Sequence, residues 1–487
     1  MAHSSTQYRE LPYGGTAYSA AYGSDGVASM ALSTMPSDGL ESHSSGSPSP
    51  LLGTNGTANG APKYDDHGRL LAPLHQATLL ACTAAMANTI LGAGMLGLPH
   101  ALAESGFILG VVLLCLAGTA AAFALHLLSV SAQTVDVWPS SFYVVATRAV
   151  PSAAFLIDLA VAIKCFGVGT SYLIVIGDQV PEAIGSLIGH DHAGFLYDRR
   201  FWILVYAGGI VLPLSCLRSL NALRFTATIS IGFVCFLTGV ITLYAVVPSL
   251  DECAGMALDV CKGHTNLVQF NKGTLKILSI FIFGFTCHQN IFSACNELKE
   301  FTIPRINHVI RGSIGLAWCL YMLIGLMAYH TYGSLVKSDV LESYPSNKTL
   351  AIARLLIATN CSFTYPLQCN PCRNSIALLI HQWQQRGQVV PAGSTPKAFI
   401  PNETLLSVLT LVICLGSLGI AMVVSDLGVV LAVVGATGST TISYILPGLI
   451  FLKLHGGEKW TVKHYAAATL LTIGCIVIPA CLTFIFI

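Results

Sequence analysis

Residues 86–106 read MANTILGAGMLGLPHALAESG, and residues 92–97 within them read GAGMLG. The spacing GxGxxG is the pattern in which glycines cradle the pyrophosphate of a dinucleotide. That interpretation needs a strand before the glycines and an acidic residue about 20 residues after them. Here the apolar stretch TLLACTAAMANTIL precedes them, and the apolar stretch LLCLAGTA follows at that distance. We therefore reject a dinucleotide site and expect no bound cofactor.

The composition indicates an integral membrane protein. Of the 487 residues, 54% are hydrophobic and only 10% are charged, and the mean hydropathy is +0.69. A soluble domain carries about 25% charged residues, so this chain has too little charge to cover a water-facing surface. The net charge of +1 gives no indication of nucleic-acid binding. No nucleophile–base set or metal cluster stands out, and we expect neither an enzyme nor a metal site.

Residues 1–70 differ from the rest of the chain. They contain the segments SSGSPSP and GTNGTANGAP, rich in Ser, Gly, Ala and Pro, and show no hydrophobic period. Such a segment buries too little apolar area to offset the entropy of ordering. We predict a disordered N-terminal tail over 1–70 and a transmembrane domain over 71–487.

A membrane-spanning helix needs about 20 mostly apolar residues. Segments of this kind follow one another through the transmembrane domain, which predicts an all-α integral membrane fold. The eleven predicted spans, numbered in chain order, are 74–102, 107–130, 153–177, 201–217, 226–247, 273–296, 311–332, 350–371, 404–425, 427–452 and 464–487.

The loops between the spans predict an orientation. Lys and Arg are more frequent on the side of the tail, which places the N-terminus in the cytosol and the C-terminus on the luminal or extracellular side. The sequon that begins at Asn347 falls in an outer loop and predicts glycosylation there. Cys253 and Cys261 lie in another outer loop, where disulfides persist, and we predict that they are bridged.

The glycines of span 1 predict a broken helix. Gly92, Gly94 and Gly97 each cost about 1 kcal/mol relative to Ala in a helix interior, and Pro99 has no N–H. Backbone groups freed in this way are tolerated in a membrane where they face protein or a water-filled cavity. In transporters, half-helix N-termini face anionic substrate groups, and free carbonyls hold cations. Close helix packing through small residues is the alternative explanation.

Broken helices occur in pairs at matching positions of two inverted repeats. If spans 1–5 and 6–10 are such repeats, span 6 is broken as well. Gly284 in span 6 is followed at mid-membrane by the polar run TCHQN, residues 286–290. Polar groups at that depth are costly unless they line a cavity or meet partners.

Five motifs follow one another along the predicted spans. They are NTILGAGMLGLPHAL (88–102), KCFGVGTSYLIVIGD (164–178), GFTCHQNIFSACNELK (284–299), FTYPLQCNPCRNS (363–375) and GATGSTTISYILPG (435–448). In this order they resemble the amino acid/auxin permease family, above all its animal neutral amino acid transporters and fungal vacuolar amino acid transporters. The resemblance starts near residue 72 and implies a leucine-transporter-type fold, with a 5+5 inverted repeat plus one helix. It also implies secondary active amino acid transport by alternating access.

The resemblance bears on the coupling ion in two ways. Asn88 and Thr364 match positions that the sodium-coupled branch of the family links to its cation site. The run TYPLQCNPCR in span 8 resembles the vacuolar branch, which is associated with protons. Lys164 and His288 are basic groups near mid-membrane. We favour protons over sodium as the coupling ion.

Three of these side chains have open alternatives. Lys164 is either a fixed positive charge or proton site near the transport path, or one half of a buried pair. His288 either carries the coupling proton or is a hydrogen-bonded structural histidine. Tyr172 either faces the substrate or packs in the core.

The substrate is expected at mid-membrane between the breaks of spans 1 and 6, in a monomer surrounded by lipid. Its carboxylate would meet N–H groups around residues 92–97, and its ammonium would meet carbonyls of both breaks. The expected membrane is vacuolar, lysosomal or plasma membrane. The alternative function is an amino acid sensor that signals through the tail. The predicted substrate-binding residues are Thr83, Asn88, Gly92, Gly94, Gly97, Tyr172, Gly284 and Thr286, and the predicted ion-coupling residues are Asn88, Lys164, His288, Ser362 and Thr364.

Overall fold

The structure is a computed structural model, and it describes residues 63–64, 70–71, 77–188, 194–217, 224–247, 262–384 and 401–486. Most of the predicted tail and both cysteines of the predicted disulfide, Cys253 and Cys261, lie outside these residues. A short antiparallel pairing joins strands β1 (Lys63–Tyr64) and β2 (Leu70–Leu71). Helices make up nearly all of the rest of the described chain.

The described helices follow the predicted spans in order. Span 1 consists of two helices, α1 (Leu79–Ile90) and α2 (Gly94–Ser105), and the chain bends by 56° between them. Span 6 also consists of two helices, α9 (Lys272–Gly284) and α10 (Ile291–Glu297), joined by a 3₁₀ turn at His288–Asn290. The other helices are α3 (Phe107–Val135), α4 (Phe142–Ala149), α5 (Ala154–Ile188), α6 (Arg199–Tyr206), α7 (Leu212–Cys216), α8 (Arg224–Val246), α11 (Ile303–Tyr332), α12 (Lys348–Gln384), α13 (Glu403–Val423), α14 (Leu427–Val434), α15 (Leu446–Leu454) and α16 (Val462–Phe486).

Within the described residues, nine helical segments are long and apolar enough to cross a membrane. The number rises to ten if the two bent helices of span 1 are counted together as one span. The predicted fourth span is not among them. It was predicted over 201–217, but the observed helix α6 begins two residues earlier, with Arg199 and Arg200, and the segment divides into α6, a π-helical turn at Ala207–Val211 and α7. Its charged first turn and its interruption reduce its apolar length. The structure therefore supports a multi-pass helical membrane protein.

Local sequence signals set several helix ends. Thr78 caps α1 by accepting a hydrogen bond from the N–H of Ala81. Asn271 and Thr274 form a reciprocal capping box at the start of α9. Gly106 joins α2 to α3 with φ = 81°, a conformation that favours glycine. A Cβ there would also lie 2.9 Å from the backbone nitrogen of Gln269. Gly106 and the capping box hold the end of α2 beside the start of α9, where Thr274 Oγ1 also donates to the carbonyl of Glu104 at 2.9 Å.

The centre of the bundle is formed by spans 3 and 6. In their most apolar stretches 83% of residues are buried, against 22% in span 11. Among the described helices, span 3 packs most extensively against span 8. Span 10 contains two π-helical turns, Gly435–Ser439 and Thr441–Ile445, which the sequence did not predict. Spans 1, 3, 6, 8 and 10 thus contribute the residues around the two breaks.

Candidate functional site

The break in span 1 is a short stretch of unwound backbone. α1 ends at Ile90, and α2 begins at Gly94 without a side-chain cap. The N–H of Gly92 donates to the carbonyl of Ile90 at 2.8 Å, and the N–H of Leu96 donates to the carbonyl of Ala93 at 3.1 Å. The N-terminal end of α2 therefore lies in the protein interior with no side chain of its own bound to it.

Two glycines of this break allow close approach by neighbouring helices. A Cβ on Gly92 would lie 2.6 Å from the hydroxyl oxygen of Tyr172 in span 3. A Cβ on Gly94 would lie 2.9 Å from the ring of Phe283 and 3.4 Å from the Cα of Gly284. The two breaks are thus in direct contact through residues that lack side chains.

A single hydroxyl group bridges the two breaks. The Tyr321 hydroxyl of span 7 lies 2.6 Å from the carbonyl oxygen of Ile90 and 2.9 Å from the carbonyl oxygen of Gly284. Its one proton is donated to two carbonyls that each belong to the end of a broken helix. Tyr321 is fully buried. It therefore fixes the separation of the two breaks.

The break in span 6 is held by side chains. Thr286 and His288 both bond to the Ser443 hydroxyl of span 10, at 3.2 Å from Thr286 Oγ1 and 3.0 Å from His288 Nδ1. Asn290 donates from Nδ2 to Thr89 Oγ1 in span 1 at 2.9 Å. The polar run TCHQN therefore meets partners on neighbouring spans, as the cost of polar groups at this depth requires.

Lys164 lies at the centre of a buried amide network. Its Nζ donates to Gln368 Oε1 in span 8 at 3.1 Å, and Gln289 Nε2 donates to the same oxygen at 3.3 Å. Lys164 is 1% exposed, and the ion pairs of the described chain do not include it. Gly438 makes room for it, because a Cβ there would lie 2.6 Å from the Lys164 Cβ. The partner of Lys164 is thus an amide and not a carboxylate.

These groups line a small, narrow cavity. Five residues predicted to bind substrate or couple ions line it. Three further residues of the lining, two polar and one aromatic, come one each from spans 1, 6 and 8. The predicted lining residues are Gly92, Gly94, Lys164, Tyr172 and Thr286, and the others include Thr89, Phe283 and Gln368.

The remaining predicted residues lie outside this lining. Thr83 contacts Gly312 of span 7 and Gly97 faces Leu431 of span 10, which are helix-packing contacts. The hydroxyls of Ser362 and Thr364 donate to carbonyls of their own helix, at Ala358 and Asn360. The buried Oδ1 of Asn88 has no partner among the described residues, and the carbonyl of Gly284 accepts from Tyr321. His288 is hydrogen-bonded to Ser443. Asn347, the predicted glycosylation site, is half-buried and donates to the Tyr244 hydroxyl.

Sequence reasoning missed several residues of the site. Gln368 lies in the run TYPLQCNPC and is a polar residue at mid-span, a signal of the kind that identified Lys164. Tyr321 and Ser443 carried no such signal. A tyrosine or serine in an apolar helix is unremarkable until its partners, here two broken backbones and a histidine, are known.

An all-helical membrane bundle with two broken helices around a polar cavity is the architecture of secondary transporters. A family model described as "Transmembrane amino acid transporter protein" matches residues 75–487. The chain belongs to this family, the amino acid/auxin permeases. The resemblance of the five sequence motifs is thereby confirmed.

Individual relatives are transporters of fungi and animals. The chain is 35% identical to vacuolar amino acid transporter 5 of Schizosaccharomyces pombe, over 75% of this chain and 82% of the relative. It is 32% identical to vacuolar amino acid transporter 6 of Saccharomyces cerevisiae, over 81% of this chain and 96% of the relative. It is 24% identical to the putative sodium-coupled neutral amino acid transporter 11 of Mus musculus, over 80% of this chain and 81% of the relative.

Proposed function

We propose that this protein is a secondary active transporter that moves amino acids by alternating access and couples their movement to protons. The observation that carries the proposal is the meeting of two broken helices at a buried polar cavity, with Gly94 of span 1 against Gly284 of span 6. An amino acid is a zwitterion, so its carboxylate is complementary to a helix N-terminus and its ammonium to free backbone carbonyls, and the two breaks bring both kinds of group together.

The two ends of the substrate would bind different parts of the site. The carboxylate would lie at the N-terminal end of α2, where the helix dipole and the uncapped N–H groups at Ala93 and Gly94 favour negative charge. The ammonium would bind carbonyls of the breaks other than those of Ile90 and Gly284, which accept from Tyr321. Tyr172 and Phe283 would contact the substrate side chain from spans 3 and 6. Helix-end recognition accounts for amino acid selectivity without a dedicated charged side chain.

Three observations support protons as the coupling ion. Lys164 is a basic group in the cavity wall, and a buried basic group exchanges its proton when its access to water changes. Tyr321 occupies two break carbonyls that a sodium ion would otherwise use as ligands. The fungal relatives, which are named vacuolar, are also more similar in sequence than the mouse relative named sodium-coupled. The free Oδ1 of Asn88 favours the opposite choice.

The finer architecture belongs to the same proposal. We expect the segment from Arg199 to Cys216 to cross the membrane as span 4, which gives eleven spans, two inverted repeats of five and a final helix. The N-terminus would then be cytosolic and the protein a monomer in a vacuolar, lysosomal or plasma membrane. None of the relatives named above is described as a sensor, so the sensing alternative has no support from them.

The test is uptake by proteoliposomes under separately imposed gradients. A panel of amino acids is offered once with a proton gradient in sodium-free buffer and once with a sodium gradient at equal pH. We expect accumulation in the first condition. Accumulation only in the second condition would identify sodium as the coupling ion, with Asn88 and Thr364 as the first residues to test. Absence of uptake in both would refute ion-coupled transport.

A further inference from the structure

A loop between spans 7 and 8 packs into the bundle close to the cavity. Residues 336–344, here called the docking loop, contain a 3₁₀ turn at Val340–Ser343. Val340 and Leu341 are fully buried. The Ser338 carbonyl would lie 3.7 Å from a Cβ on Gly97, three residues along α2 from Gly94. The docking loop is therefore about one helical turn from the substrate site.

The docking loop is hydrogen-bonded to span 1 and to span 8. His100 of α2 lies within hydrogen-bond distance of the Val336 carbonyl, at 3.1 Å from Nδ1. Arg354 of span 8 donates to the carbonyls of Leu341 and Tyr344 at 3.0 and 3.1 Å. These bonds tie the outer half of span 1 to span 8 through the loop.

Asp339 connects the docking loop to span 3. It is 1% exposed. One carboxylate oxygen accepts a hydrogen bond from the N–H of Leu341 at 3.0 Å, and the other accepts one from Gln179 Nε2 at 2.9 Å. The ion pairs of the described chain do not include Asp339. A buried carboxylate with only neutral donors is in an environment that favours its protonated form.

Most of the charged groups around Asp339 form ion pairs with one another. Glu182 pairs with Arg354 at 3.5 Å, Asp178 pairs with Arg199, and Glu342 pairs with Lys337 at 3.8 Å. The titratable and charged groups that face this region are Asp178 and Glu182 from span 3, Arg199 from span 4, Lys337 and Glu342 from the loop, Arg354 and Cys361 from span 8, and Asp426 at the start of span 10.

We infer that Asp339 is a proton-binding residue that latches the docking loop over the substrate site. It takes up a proton from water on its own side of the membrane as the loop docks, and it releases the proton when the loop lifts. With Lys164, Asp339 would be the second proton-binding residue of the transport cycle. This part of the inference rests on the proposed coupling to protons.

The direction of the coupling follows from the two environments of the carboxyl group. Burial raises the pKa of Asp339 to about 7, with Glu342 and Asp178 adding to the increase and the hydrogen bonds from Leu341 and Gln179 opposing it. In water the pKa of an aspartate is about 3.9. The docked loop therefore binds the proton more tightly than the lifted loop. Between about pH 4 and pH 7, lowering the pH stabilises docking and raising it favours lifting, whereas above 7 the carboxyl group is ionised in both states and the dependence ends.

Gln179 can serve both protonation states. Its Nε2 donates to the ionised carboxylate, whereas its buried Oε1 has no partner among the described residues. After rotation of the amide, Oε1 would accept the proton of a neutral Asp339 carboxyl. The loop can thus stay docked when Asp339 is protonated, because the carboxyl proton then has an acceptor.

The test is hydrogen exchange of the docking loop in the full-length protein in nanodiscs between pH 5 and 8.5, corrected for intrinsic rates. In the wild type we expect the corrected rate to rise by up to tenfold per pH unit below 7, the dependence for one released proton, and to level off above 7. Asp339→Asn mimics the protonated form and should give slow exchange at every pH. Gln179→Met removes a donor to the carboxylate and should move the levelling-off to higher pH.

Glu458→Gln is the matched control, since Glu458 is an exposed acid at the opposite end of span 10, and it should behave as the wild type. A pH-independent wild type, or equal profiles for wild type and Asp339→Asn, would overturn the latch. The measurement does not depend on transport. Proton-driven uptake with flat exchange would refute only the latch, whereas pH-dependent exchange without proton-driven uptake would refute only the proposed coupling.

Discussion

The two breaks reach the same cavity by opposite means. The break of span 1 removes side chains, so that Gly92 and Gly94 admit Tyr172 and the Phe283 ring. The break of span 6 adds polar side chains, each with a partner on another span: Ser443 for His288, and Thr89 for Asn290. The first break provides space and backbone groups, and the second provides a hydrogen-bonded frame. Substitutions should therefore act sterically in one and through lost bonds in the other.

The largest effect is expected from filling the space in span 1. Gly94→Val would place side-chain atoms inside the contact with Phe283 and Gly284, where even a Cβ is at 2.9 and 3.4 Å. Overpacking of this kind costs about 1–3 kcal/mol and blocks the N-terminal end of α2. We expect transport to be abolished in protein that still inserts and is monodisperse. Gly419→Val is the control, because a Cβ on Gly419 meets nothing within 4 Å. Normal uptake by Gly94→Val would contradict the site.

The next effect concerns the bond between the two breaks. Tyr321→Phe keeps the ring and removes the hydroxyl that lies between the carbonyls of Ile90 and Gly284. A lost buried hydrogen bond costs about 1–3 kcal/mol, so we expect a fall of about tenfold in kcat/KM for uptake. Tyr444→Phe serves as the control, since the described hydrogen bonds do not include its hydroxyl. If the two variants transport equally well, Tyr321 does not hold the breaks together.

The sodium dependence of uptake by Tyr321→Phe gives a second test of the role of this hydroxyl. The carbonyls released in Tyr321→Phe are potential ligands for a cation. If the hydroxyl replaces a cation at this point, the variant should show sodium-stimulated uptake that the wild type lacks. Uptake by both proteins is measured with and without sodium at fixed pH. Equal sodium stimulation of both would show that the hydroxyl and the cation do not compete.

The smallest effect is expected in the frame of span 6. Ser443→Ala leaves Thr286 and the Nδ1 of His288 without their shared partner. Water in the cavity can replace part of this bond, so we expect a rise of only a few fold in KM with kcat nearly unchanged. Ser407→Ala is the control, because the Ser407 hydroxyl bonds only to its own helix. If Ser443→Ala lost more transport activity than Gly94→Val, the break of span 6 would matter more than the break of span 1, contrary to this prediction.

The difference between the breaks also explains what the sequence could predict. Glycines at close spacing in an apolar segment identify a broken helix directly, and the bend at residues 90–94 was predicted on that ground. Lys164 was also identifiable locally, because it is a charged residue in an apolar segment. Its partner Gln368 is 204 positions away, and no local pattern links the two. The bonds from Ser443 and Tyr321 likewise depend on tertiary packing, and the π-helical turns of span 10 leave no sequence signature that we recognised.

The proposed coupling of substrate to protons at the two breaks is tested most directly by proton movement itself. Purified protein in liposomes that contain a pH-sensitive dye is given an amino acid outside, in sodium-free buffer, with Lys164→Gln and Gly94→Val as parallel samples. We predict that the interior acidifies as the amino acid enters through the wild type. Lys164→Gln should lose the acidification and Gly94→Val should lose both signals. Amino acid accumulation that requires sodium and leaves the interior pH unchanged would contradict the account.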